Sequence, residues 1–93
     1  MKAEMRNYME HIIRDRMPAV LKNMPDICRC ERCDMDRIAY ALNNMQPKYV
    51  VTSTGKLYAK LNALQGQFDA DVVRVITEAA VRVDESPRHD EED

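Results

Sequence analysis

Three cysteines fall within one short stretch, Cys28-Arg29-Cys30-Glu31-Arg32-Cys33. Thiolate is a soft donor, and zinc takes four tetrahedral ligands at structural sites, so closely spaced cysteines in a loop match that ion in type and reach. The cluster follows Pro25 and precedes a segment with helical periodicity, where the positive helix end favours a thiolate. Arg29 and Arg32 offset the negative charge that several thiolates would place there. Unliganded thiols fit less well, because free cysteine prefers an apolar face to an arginine-rich loop. A redox pair from Cys30-x-x-Cys33 has no βαβ pattern around it. An iron–sulfur cluster would also need a fourth ligand.

The fourth zinc ligand must come from far along the chain, and the two histidines are the natural donors, His11 and His89. His11 falls roughly 160° from the apolar stripe of its helix, which favours a surface position. His89 follows Ser86-Pro87-Arg88, and ligation there would fold the C-terminal segment back onto the loop. Spacing alone leaves both open.

A second set of residues could receive an anion. Thr52, Ser53 and Thr54 suit the cap of a helix whose free N–H groups point outward, Gly55 permits close approach, and Lys48, Lys56 and Lys60 add positive charge. Tyr49, Tyr58 or an arginine such as Arg37 could stack a flat base. Each has an ordinary structural role open to it, as core contact or solvated charge. Ser-Thr-Gly-Lys is no phosphate-binding P-loop, since the upstream glycine and the hydroxyl residue after Lys56 are missing. No Ser-His-Asp or Cys-His arrangement is suggested, and a zinc closed by thiolates lacks the open position that activates water, so no enzyme is expected.

The elements that must position these groups are mostly helical. Met5, Tyr8, Met9, Ile12, Ile13, Val20, Leu21 and Met24 recur at spacings of three and four, predicting a helix over about residues 3–23 with a kink or break from Pro18 near Arg16 and Met17. Asp34 is the expected N-cap of a second helix over about 35–45, with Met35, Ile38, Ala39, Leu42 and Met45 as its stripe. Pro47 ends it, and Tyr49-Val50-Val51-Thr52 favours extended backbone that would pair with a copy of itself or lie as a connector. From Thr54, the residues Leu57, Leu61, Leu64, Phe68, Val72, Val75, Ile76, Ala79 and Val83 hold one helical phase. That favours one long helix, bent at Gly66; a new start at Asp69 is the alternative.

Length and charge bound the rest. A chain of 93 residues holds one core, and a domain of this size buries only about 60–65% of its unfolded surface, so a metal or partner subunit is a common support. The net charge of −2 divides into thirteen bases against ten acids over residues 1–83 and one base against six acids over 84–93. Such a body is too weakly basic for duplex nucleic acid, and the acidic end, residues 90–93, is expected to be a disordered tail after a single domain over 1–89. Apolar runs fall far short of the ~20 residues that span a bilayer, and the N-terminus lacks a signal-peptide core. An odd number of tightly spaced cysteines is a poor disulfide framework, so a reducing, cytoplasmic setting is expected.

In combination these residues become specific: the CxCxxC cluster, Asp36-x-x-x-x-Ala41-Leu42-Asn43, Pro47-x-Tyr49-Val50 and Glu85-Ser86-Pro87. In this order and spacing the chain resembles the late competence development protein ComFB family over nearly its whole length. The resemblance implies an all-α fold of three to four helices with one short extended segment, and a homodimer. It also implies a zinc ion held by Cys28, Cys30 and Cys33 with a ligand after the Ser-Pro element, a position that His89 matches. It further implies a receptor for a cyclic dinucleotide, cyclic di-GMP or cyclic di-AMP, acting on motility or competence through a downstream protein. Within that expectation the ligand contacts are Lys48, Tyr49, Thr52, Ser53 and Lys56. The alternative is a structural or adaptor homodimer that holds zinc and no small molecule.

Overall fold

The computed structural model describes residues 3–52 and 54–88, with side chains described for 3–51 and 69–88. The chain runs β1 (Glu4–Asn7), α1 (Tyr8–Leu21), α2 (Glu31–Asn43), β2 (Tyr49–Thr52) and α3 (Thr54–Glu85). The three helices are as expected, but the fold is not purely helical. β1 and β2 form an antiparallel ladder with Glu4 opposite Thr52, Met5 opposite Val51, Arg6 opposite Val50 and Asn7 opposite Tyr49.

This corrects two expectations, and Asn7 is the reason for both. Its backbone is extended, and its side-chain oxygen accepts from the N–H of Met9 at 3.1 Å, so α1 begins at Tyr8 rather than near residue 3. The same oxygen accepts from the N–H of Lys48 at 2.9 Å, and the N–H of Tyr8 donates to the Lys48 carbonyl at 2.8 Å. The residues before the cap are thereby drawn alongside β2, and the extended segment pairs within its own chain rather than with a copy. Met5, which shares the helical phase of α1, stands 70% exposed on the ladder.

Within α1, Pro18 causes no break, because it sits on the exposed side where the carbonyl it leaves unpaired can turn to water. Tyr8, Met9, Ile12, Ile13, Met17, Val20 and Leu21 form its buried stripe. α2 starts earlier than expected. Cys30, not Asp34, is its N-cap, and Asp34 lies in the first turn. Its buried residues are Cys33, Arg37, Ile38 and Ala41, so the stripe is rotated and Met35 and Ala39 are exposed.

α3 is one helix across Gly66 and Asp69, as its single apolar phase predicts. Val72, Val75, Ile76, Ala79 and Ala80 of its second half meet the α1 stripe with Ile38 and Ala41 of α2 in one core. Each helix packs on the other two. An ion pair between Arg16 and Asp69 at 2.7 Å ties α1 to α3 at the edge of that core.

Candidate metal centre

The chain leaves α1 through three successive backbone hydrogen bonds, Asn23 to Val20, Met24 to Leu21 and Ile27 to Met24. Met24 and Ile27 pack partly on the core, so the loop enters the cysteine cluster already anchored. Cys30 then turns the chain into α2. Its sulfur accepts from the N–H of Cys33 at 3.4 Å, and its carbonyl accepts from the N–H of Asp34 at 3.0 Å. One cysteine therefore caps the helix whose first turn carries another.

This geometry brings the three expected thiols together. The sulfurs of Cys28, Cys30 and Cys33 all lie within 4.8 Å of one another, and none is in a disulfide. Cys33 is buried; Cys28 and Cys30 are half-buried. Sulfurs about 2.3 Å from a tetrahedral zinc stand about 3.8 Å apart, so the cluster needs to close by no more than about 1 Å to take the ion. The donor set fits a soft divalent metal at three of four positions. Burial pushes the Cys33 thiol up from 9.0 to about 12, with hydrogen bonds from the Cys30 and Cys28 side chains and their negative charge acting in the same direction.

Around the sulfurs lies a network of arginine and aspartate. Asp34 accepts from Arg37 at 2.7 Å and from Arg29 at 3.0 Å. Arg37 is only 1% exposed and also donates to the carbonyl of Cys28. Asp36 pairs with Arg32 at 3.3 Å and with Arg88 at 3.6 Å. The last contact lays the segment after Ser86-Pro87 against α2, three residues beyond Cys33.

The other expected residues are placed unevenly. His11, half-buried on α1, does not join the cysteines. His89 lies outside the described residues. Lys48 is exposed and Tyr49 is 63% exposed. Thr52, Ser53 and Lys56, like Tyr58 and Lys60, lie outside the described side chains. Arg37 is a correction: buried and bound on two sides, it has no face to offer a base. Sequence reasoning missed its actual place beside the cysteine cluster, although the three-residue step from Asp34 to Arg37 on one helix signals the ion pair.

The family model of the late competence development protein ComFB matches residues 6–87, from β1 through the cysteine cluster to the Ser-Pro element. The chain belongs to the ComFB family. It is 26% identical over 81 residues to the competence protein ComFB of Bacillus subtilis strain 168, covering 87% of this chain and 83% of that relative. It also superimposes with a TM-score of 0.80 on a solved structure of the late competence protein ComFB from Bacillus subtilis, at 25% identity, over 96% of this chain and 100% of that one. The family is named for late competence development. No helix among its described residues is long and apolar enough to cross a membrane.

Proposed function

We propose that this ComFB protein is a cytoplasmic signalling receptor rather than an enzyme, a homodimer stapled by zinc that binds a cyclic dinucleotide and passes the bound state to a partner protein. Zinc is supported by three converging thiols, and the staple by Arg88, whose contact with Asp36 carries the segment before His89 onto the helix that bears Cys33. Cys28, Cys30, Cys33 and His89 would then close the site, leaving no open position for chemistry.

The observation that carries the receptor reading is the exposed ring of Tyr49 at the start of the strand that leads into α3, with exposed Lys48 just before it. A ring for stacking and a cation for phosphate are what a cyclic dinucleotide requires from each subunit, and a twofold dimer would supply them in duplicate. Isothermal titration with cyclic di-GMP and cyclic di-AMP tests it. Binding in the micromolar range is expected, with loss of at least about tenfold in Tyr49→Ala, since a stacked base is worth about 1–3 kcal/mol.

A second reading rests on a different property of the same strands. Met5, Tyr49 and Val51 are exposed apolar residues on one face of the ladder, which suits contact with protein. Silence in the titration with either nucleotide favours this adaptor role.

A further inference from the structure

Arg37 is a cation with almost no access to water, and two of its three donor positions are committed. One nitrogen holds Asp34 at 2.7 Å and another holds the backbone carbonyl of Cys28 across the loop. The third, Nε, is buried with no hydrogen-bond partner. Burying an arginine costs free energy that its charge partner and its fork-shaped donor set must offset.

Two features of its surroundings show how they do so. The contact to Cys28 spans nine residues and joins the start of the cysteine loop to the second turn of α2, while Cys30 and Cys33 are already fixed by the helix cap. Cys28 has no helix to hold it, and Arg37 takes that part. Asp34 lies between two guanidiniums, Arg29 and Arg37, so the trio carries one net positive charge beside the cluster. Three thiolates around a divalent cation carry one net negative charge, and the two groups complement each other.

We infer that Arg37 is a positioning residue of the metal centre, clamping the Cys28 backbone to α2 so that the three sulfurs converge before the ion arrives and compensating their charge once it has bound. The inference rests on the zinc reading above. Arg37 touches neither ion nor sulfur in this role; it acts through the carbonyl of Cys28 and through Asp34.

The test uses the full chain, titrated with zinc in competition with a chromophoric chelator, at a temperature where circular dichroism shows each variant folded. Wild type is expected to bind one zinc per chain. Arg37→Met, of similar length and apolar, is expected to bind it about 10–100-fold more weakly, the range seen when support behind a metal ligand is removed. Arg37→Lys keeps the charge but loses the two-point clamp, and is expected to recover only part of that loss. Ile76→Val, a core change on α3, separates this from general loosening and is expected to bind as wild type does.

A second readout needs no metal. In the zinc-free protein, Cys28 should react faster with an alkylating reagent in Arg37→Lys than in wild type, because its backbone is no longer held. If Arg37→Met does not fold, Arg37→Lys and this alkylation rate decide. Wild-type zinc affinity in a folded Arg37 variant, or an equal loss in Ile76→Val, overturns the inference while leaving the zinc site intact. Absence of zinc binding in wild type overturns the zinc reading itself and this role with it.

Discussion

Cys33 stands at the buried end of the cluster, where its proton would couple metal binding to stability. Burial comes first among the causes that raise its thiol from 9.0 to about 12, followed by the hydrogen bonds and charge of Cys30 and Cys28. In the metal-free protein the folded state therefore keeps a proton that the unfolded chain releases above its ordinary value. Stability from this group is complete below about pH 9 and declines as pH rises toward 12. A divalent ion bound at the cluster would replace that same proton, so the proposed zinc affinity would move the other way and increase with pH. Melting curves of the stripped protein should be level in this respect from about pH 7 to about pH 9 and show a falling Tm above it. Chelator competition over the neutral range should show zinc held more tightly as pH rises. A stripped protein whose Tm climbs across the alkaline range would contradict the burial of this thiol.

Asn7 joins two elements that are far apart in sequence. Its side-chain oxygen serves both the α1 start, through Met9, and the β2 approach, through Lys48. Asn7→Ala removes the cap and leaves the Lys48 N–H without its acceptor, for an expected loss of about 1–2 kcal/mol. Thermal melting should show a fall of about 4–8 °C for each kcal/mol in a domain of this size. Asn7→Asp keeps an acceptor and should lose less; equal losses in both would argue against the shared oxygen. The strand that Asn7 closes was not legible in the sequence. Glu4-Met5-Arg6-Asn7 becomes a strand because Tyr49–Thr52 lies beside it, and Met5 in isolation fits the phase of the following helix. α3 was legible, since its apolar phase is local and unbroken. The cysteine cluster was legible for the same reason, three donors within one turn and its lead-in. Its support was legible only in half: the Asp34–Arg37 pair follows from helix geometry, whereas the Arg37 contact to Cys28 depends on how the loop folds back.

At the scale of the whole molecule, the core and the ladder divide the labour. α1, α2 and the second half of α3 bury their stripes in one another, while the ladder presents Met5, Tyr49 and Val51 outward, with Met5 directly opposite Val51. A two-stranded sheet is marginal when it stands alone in water, and an apolar face at 67% exposure for Val51 and 70% for Met5 is of the kind that a second copy covers. A twofold axis through this face would set the Tyr49 ring of one subunit near that of the other, the symmetry that a cyclic dinucleotide also has. Val51→Lys places a charge at the centre of that face without touching the helical core. Light scattering coupled to size exclusion is expected to find a dimer for wild type and a monomer for this variant, with the helical signal in circular dichroism unchanged. On the proposed reading, titration of the same variant should lose the nucleotide heat together with the dimer while its zinc content matches wild type, because the cysteine cluster belongs to the α1–α2 loop and the first turn of α2 and not to the ladder. A dimeric Val51→Lys protein would move the proposed subunit contact away from this face and leave the proposed nucleotide site at Tyr49 to one chain alone.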